Sequence, residues 1–482
     1  MTTTLNLTGR LAAAPLQLAG NLIAGQSTAL ELDTVRGART QTLILEDDDP
    51  VALELDGGAR LWVRASEART ELARLDSASR GPGVAGLVRA VRHYRLDACA
   101  SAVELASWLE ARQLAGPAGL YRMQLTDGGI ALAPSDPPPA ADAPLLICIH
   151  GTAASCAATF AGLARPAAQP LRTALAQRYG ERIYAWQYRS ITVGPLENAL
   201  ALLQQLPDGA QVDLLTHSQG GLQADLLSLG AVPTPTNSKR IVDAEQLAAW
   251  FAIAGARPGA IAPDLQLCTT LLDLLAQKRI CVRHCVRIAC PAMGTTLASG
   301  RLDRWLSAFE YAATLAGLDV MTGDLLGFIL AVVRQRTDPR LLPGLAAMMP
   351  GAPLLRLLNW HSLQADSSLT VVAGDIEAGT VWRRLELLLA DEFFAGAHDL
   401  VVNTGSMYGG LRRKDAHCLF EHSAAISHFT YLADPRVRDA IAAGLGAGGD
   451  AGALAPLTED MRVEPARGHA MAVAAGRPAA PS

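Results

Sequence analysis

The stretch Gln211-Val212-Asp213-Leu214-Leu215-Thr216-His217-Ser218-Gln219-Gly220-Gly221-Leu222 constrains the fold more than any other part of this chain. An apolar run ends in Thr-His-Ser-Gln-Gly-Gly. A helix-compatible segment follows, with Leu222, Leu226, Leu227 and Leu229. The pattern predicts a strand, a sharp turn with serine at its tip, and a helix. Such a turn lifts one hydroxyl above the end of a parallel sheet and sets the next backbone N–H at a helix N-terminus. Ser218 is therefore a candidate nucleophile. The G-x-S-x-G pattern of such turns is met at Gly220 but not at Thr216, whose β-branch suits the strand and crowds the turn. Taken alone, the stretch also fits a glycine-assisted turn with a capping serine. The rest of the chain separates the two.

With 482 residues, the chain is long enough for two or three domains. Hydrophobic residues make up 50% and charged residues 18%, which describes a packed protein. A formal net charge of −5 points away from a nucleic-acid partner. The apolar run Leu325–Val333, flanked by Asp324 and Arg334, is too short to span a bilayer. The start, Met1-Thr2-Thr3-Thr4-Leu5-Asn6-Leu7, has neither a basic nor an apolar leader segment, so no secretory signal is read and a cytoplasmic location is expected. Eight cysteines are then expected as free thiols.

Residues 1–132 read as a β-rich accessory domain. Short runs at 29–33, 41–46, 51–55 and 60–63 suggest antiparallel strands, and Leu87, Val91, Leu105 and Leu109 suggest a helical stretch. No catalytic constellation stands out there, so a protein-interaction role is the default. Residues 133–144 form a proline-rich linker. From 145 to 442 the rhythm is strand, loop, helix. Candidate strands are Leu145–Ile149, Arg182–Trp186, Val212–Leu215, Val282–Ala289 and Leu369–Ala373, and the expected fold is a doubly wound, mostly parallel α/β sheet. Residues 296–363, with Trp305, Leu306, Phe309, Leu315, Leu325 and Ile329, read as a helical cap or as a self-burying insertion. Residues 443–482 read as a disordered tail.

Acyl transfer needs two N–H donors for the oxyanion. Gln219, after the serine, and Thr152, in His150-Gly151-Thr152 after the first central strand, are the candidates. Ser218 needs a base. Of ten histidines, His428 in Ile426-Ser427-His428-Phe429-Thr430-Tyr431 is the leading candidate, with His422 and His417 behind it. His217 is expected to point away from the serine, and His284 to be structural. The orienting acid is Asp399, preferred to Asp375. Cys281, His284, Cys285 and Cys290 lie in or beside a strand that sends neighbours to opposite faces, so a core strand is preferred to a metal site. No cofactor is expected.

The segment from 145 to about 442 resembles the α/β-hydrolase superfamily, particularly bacterial lipase-like members. The resemblance rests on Ile149-His150-Gly151, the turn from Thr216 to Gly221, Cys290-Pro291-Ala292-Met293-Gly294-Thr295, Asp399-Leu400-Val401-Val402 and His428. It implies a serine hydrolase acting on small-molecule or lipid-like esters. Ala292 stands where such lipases carry histidine in a Pro-His-x-Gly-Ser/Thr turn, and Leu400 where they carry glycine in an Asp-Gly-Leu-Val motif. Both place the chain in a divergent branch. The competing expectation is a non-catalytic binding or regulatory protein on the same scaffold.

Overall fold

The computed structural model describes residues 1–32, 39–79, 88–114, 116–135, 143–230, 262–295, 301–316, 323–360, 363–376, 397–423 and 426–462. They form two compact units. One comprises the described residues of 1–109 and 299–341, the other those of 110–298, 342–376 and 397–462.

The first unit is built on an antiparallel sheet. Its strands are β1 (Thr2–Leu18), β2 (Ile23–Leu32), β3 (Thr40–Glu46), β4 (Pro50–Leu55), β5 (Arg60–Arg64) and β6 (Val88–Cys99), in the order β3-β1-β2-β6-β4-β5. The helices Ala65–Ser79, Leu302–Leu315 and Gly323–Gln335 pack on this sheet. Trp62, fully buried on β5, donates its indole N–H to Glu310 Oε2 at 2.6 Å, and Arg60 Nη1 meets Glu310 Oε1 at 2.6 Å. One carboxylate thus serves two donors on the same strand.

Two expectations change here. Val91 lies in β6, where it pairs with Leu30 of β2 and Leu53 of β4, and not in a helix. Its spacing from Leu87 fits a helix, but Val88, Val91 and Tyr94 favour a pleated surface once partners exist. Leu105 and Leu109 do lie in a helix, Ala102–Gln113. The stretch 296–363 also divides. Its helices Leu302–Leu315 and Gly323–Gln335 bury Trp305, Leu306, Phe309, Leu325 and Ile329 within the first unit, whereas residues from 342 onward belong to the second.

The second unit holds a nine-stranded sheet. Its strands are β7 (Gly119–Thr126), β8 (Gly129–Pro134), β9 (Leu145–Ile149), β10 (Ile183–Gln187), β11 (Gln211–His217), β12 (Cys281–Ile288), β14 (Ser368–Ile376), β16 (Ala416–Ser423) and β17 (Ala455–Pro456). Beside it lies a two-stranded ribbon of β13 (Gln364–Ala365) and β15 (Arg412–Arg413). The order is β17-β16-β14-β12-β11-β9-β10-β7-β8, and the six strands from β16 to β10 are parallel. β9 and β10 are buried along their whole length, as expected of strands covered on both faces. The helices pack in two groups, Gln169–Tyr179 with Pro435–Gly444, and Pro195–Gln205 with Gly220–Leu227 and Ala262–Lys278.

β7, β8 and β17 extend the sheet beyond the span read from sequence. β7 and β8 lie at one edge, in residues assigned there to the N-terminal domain and linker. β17 pairs antiparallel with β16, in residues assigned to the tail. Glu459 adds an ion pair to Arg412 at 2.9 Å. Linker residues 136–142 and tail residues 463–482 lie outside the described residues.

The chain runs from β9 to β10 on one side and from β11 to β12 on the other, while β9 and β11 are neighbours. Their carboxyl ends therefore flank a topological switch point, where open α/β sheets place their sites. Among the described residues, no helix is long and apolar enough to cross a membrane.

Glu310→Ala should destabilise the first unit by about 2 kcal/mol, because a buried indole N–H and a guanidinium lose one shared acceptor. Urea unfolding followed by Trp fluorescence measures this. A midpoint equal to that of the unaltered protein would contradict the assignment.

Candidate active site

β11 ends in the turn that carries Ser218. The serine has φ of 53°, in the left-handed region, a strain of about 1–3 kcal/mol that surrounding structure must hold. Ser218 N donates to Ile288 O of β12 at 2.8 Å, and Gly221 N donates back to Ser218 O at 3.0 Å. Gly220 opens the helix Gly220–Leu227 where a side chain would meet the carbonyl of His150 at 2.6 Å. Thr216 answers the crowding that its β-branch predicts. Its side chain is buried, and its hydroxyl donates to Val286 O at 3.1 Å, so the extra atoms tie β11 to β12.

The structure brings Ser218, His428 and Asp399 into one hydrogen-bonded chain. His428 Nε2 lies 3.0 Å from Ser218 Oγ, and His428 Nδ1 lies 2.8 Å from Asp399 Oδ2. A carboxylate can only accept, so Nδ1 carries the proton and Nε2 faces the serine hydroxyl as an acceptor. Asp399 Oδ1 accepts from Val401 N at 3.1 Å and Val402 N at 2.9 Å, and Oδ2 also accepts from the Tyr431 hydroxyl at 3.1 Å. Burial pushes the Asp399 carboxyl up. The neighbouring His428 and the amides of Val402 and Val401 outweigh that and hold it below the usual carboxylate range.

Asp375 stands elsewhere, at the end of β14. It accepts from His398 N at 3.1 Å and pairs with His422 Nδ1 at 3.1 Å. His417 is partly exposed and faces Asp415 at 3.3 Å. His284 Nδ1 meets Ser368 Oγ at 2.8 Å on the neighbouring strand. Among the described residues, no group of three or more His, Cys, Asp or Glu is placed to hold a metal. All eight cysteines are free thiols.

Gln219 follows the serine after β11, and Thr152 lies in the loop after β9. Gly151 packs so closely that a Cβ there would stand 2.8 Å from Ser218 Cβ. The loop is held from behind, since Ala153 N donates to Ser190 Oγ at 2.9 Å. Gln219 is fully buried, and its Nε2 donates to Ser190 O at 3.0 Å and Gly344 O at 2.7 Å. The side chain beside the serine therefore clamps the loop that supports Thr152. Thr152 Oγ1 faces Met348 Sδ at 3.5 Å.

His217 does not simply point away. Its Nε2 donates to the backbone carbonyl of His428 at 2.7 Å, and the two rings lie 4.8 Å apart. Burial, with the adjacent His428, pushes His217 down to about 3, so it serves as a neutral clasp. His150 stacks on Tyr188 with ring centroids 4.2 Å apart. Burial pushes it down to about 4.

The two departures from the lipase-like pattern have visible consequences. Leu400 takes φ of 82°, the region that favours glycine, and is fully buried. Ala292 sits in a turn whose other residues tie the loops together. Thr295 Oγ1 donates to Val401 O, Thr295 N to Met348 O at 3.0 Å, and Ser406 Oγ to Gly294 O.

Sequence reasoning missed Tyr431, the side chain of Gln219 and the two amides of the acid loop. Tyr431 follows His428 by three residues, about one turn, which was the available signal.

The chain belongs to a family described as a domain of unknown function, DUF7379, whose model matches residues 122–248 and 257–446. No curated protein matches it. Three similar solved structures are lipase 1 from Pelosinus fermentans, Staphylococcus hyicus lipase and the carboxylesterase CesB from Bacillus subtilis. The first is 14% identical with a TM-score of 0.35, covering 60% of this chain and 93% of that one. The second is 15% identical with a TM-score of 0.33, covering 64% and 93%. The third is 12% identical with a TM-score of 0.29, covering 72% and 98%.

Three buried histidines near the site make folding sensitive to acid. Burial lowers His150 and His398 to about 4 and His217 to about 3 from an ordinary 6.5. Their folded values lie below the unfolded one, so the unfolded chain takes up protons first as pH falls. Stability from these groups is complete above 6.5 and lost progressively below it. Calorimetry from about pH 8 to about pH 5 should show the unfolding temperature falling below about pH 6.5, with proton uptake on unfolding. A flat profile across that range would contradict the assignment.

Proposed function

We propose that this protein is a serine hydrolase acting on carboxylic esters through Ser218, His428 and Asp399, on an α/β-hydrolase scaffold. The observation that carries the proposal is the chain from Ser218 Oγ through His428 to Asp399, with contacts of 3.0 and 2.8 Å. An alcohol is a weak nucleophile at neutral pH, and an acceptor nitrogen within hydrogen-bond reach supplies what it lacks. In this reading Ser218 Oγ attacks the ester carbonyl while His428 Nε2 takes its proton. The carbonyl oxygen gains the charge, stabilised by the N–H groups of Thr152 and Gln219. His428 then protonates the leaving alcohol, giving an acyl-enzyme. Water, deprotonated by the same histidine, releases the acid. Asp399 stays ionised and holds the imidazolium that forms in each half.

The strand order supports the reading, because it sets the serine turn and the Thr152 loop at neighbouring strand ends. The thioether of Met348 beside Thr152 suits an acyl chain. The free thiols suit a reducing, cytoplasmic setting. The first unit is proposed to recruit a protein partner.

A fluorophosphonate probe tests the nucleophile. Labelling should vanish in Ser218→Ala and persist in Ser423→Ala. An unlabelled wild type would instead favour a binding or regulatory protein on the same scaffold. The acid is tested on a short-chain nitrophenyl ester. Asp399→Asn should lower kcat by roughly 10²–10⁴-fold, since it removes the charge that stabilises the imidazolium. Asp375→Asn should stay within about tenfold of wild type, because it pairs with His422. The reverse ranking would reassign the acid.

A further inference from the structure

We infer that Tyr431 is a positioning residue for the Asp399–His428 pair, its phenol sharing the carboxylate oxygen that His428 uses and so setting how strongly Asp399 supports the imidazole. The inference rests on the reading of Ser218 as nucleophile. His428 Nδ1 and the Tyr431 hydroxyl meet the same atom, Asp399 Oδ2, at 2.8 and 3.1 Å. The other oxygen accepts from the amides of Val401 and Val402. The phenol is the one side-chain donor besides His428 shown on this carboxylate among the described residues. It cannot be replaced by water without opening a fully buried site, where Tyr431 is 1% exposed.

A second observation is independent of that bond. Gly374, near the end of β14, lies beneath the tyrosine. A Cβ there would stand 2.6 Å from the phenol oxygen and 2.8 Å from its ring. Thr404 Oγ1 donates to Gly374 O at 2.6 Å, which fixes the strand at this point. The sheet thus lacks a side chain where the hydroxyl has to sit. Burial, together with the nearby Asp399, pushes the phenol far above its ordinary range, so it stays a donor at working pH.

The physical consequence follows from competition. Two donors on one carboxylate oxygen spread its charge between them. Without the phenol, Asp399 becomes more basic and holds the protonated imidazole more strongly. More acid-side inactivation results, because protonated His428 cannot accept from Ser218. Other titratable groups face the cluster. Tyr408 and Asp375 lie towards Tyr431, and Asp375 is itself paired with His422. His398 lies in the acid loop, His217 holds the His428 carbonyl, and His150 faces His217. Tyr431→Phe substitutes none of these residues.

The rate constant of fluorophosphonate labelling, measured on the full-length protein from about pH 5 to about pH 9, reads the effect. In Tyr431→Phe the acid limb should move up by about half a unit to one unit. Labelling at about pH 6 should fall roughly three- to tenfold, while labelling at about pH 9 stays within about twofold. Gly374→Ala, which displaces the phenol without deleting it, should move the limb in the same direction, and reads the inference if Tyr431→Phe does not fold. Superimposable profiles, or a uniform loss at every pH, would overturn the role of Tyr431. Failure of the wild type to label would overturn the hydrolase reading itself, so the two failures are distinguishable.

Discussion

A carboxylate with no exposed surface organises the larger unit. Charge cut off from water costs several kcal/mol unless hydrogen bonds replace the solvent. Asp399 is supplied with four donors: two amides of its own loop, His428 and Tyr431. Those donors come from the segments after β14 and after β16, so the loops can settle only together. Thr295 extends the network to the turn after β12 by holding the Val401 carbonyl. The burial that makes the carboxylate costly also makes its geometry narrow.

The same logic explains why so much of the site is backbone. Ser218 is held by Ile288 O, His428 by the side chain of His217, and the Thr152 loop by Ser190 and Gln219. Neutral buried histidines suit such work, because each has one donor and one acceptor of fixed position. Two strained residues, Ser218 and Leu400, sit at the two ends of the hydrogen-bonded chain. Strain at such positions persists only where the surroundings over-determine the backbone. Here those surroundings are the buried turn after β11 and the satisfied carboxylate loop.

Much of the larger unit was legible from residue pattern. Strands buried on both faces leave unbroken apolar runs, and β9, β11 and β14 coincide with or contain such runs. The serine turn was legible because an apolar run, a serine and two glycines in that order read as strand, sharp turn and helix, although the serine alone fits a capping role as well. The N-terminal region was legible only in part. Alternation shows in the runs at 29–33 and 51–55, but Val91 of β6 stands four residues after Leu87 as a helix would space it, and its pairing with β2 and β4 decided otherwise. The grouping of Leu302–Leu315 with β5 was hidden for a related reason. An amphipathic pattern shows that a helix has an apolar face and says nothing about which surface will cover it.

The sequence by itself determined the order of chemistry-bearing residues and the elements that carry them: a serine after one strand, an acid and a histidine after later ones. Periodicity and turn chemistry are local, so the chain displays them without folding. Which carboxylate faces His428, what Thr216 and Leu400 cost, and where Tyr431 points were decided only by tertiary structure. Asp375 and Asp399 both follow β14 in the chain, at its end and in the segment beyond it. Only the packing of β16 beside β14 gives His422 to the first, and only the turn at 426–428 brings His428 to the second. Hydrogen bonds act over about 3 Å, and a distance that short between residues tens of positions apart exists only once the chain has folded.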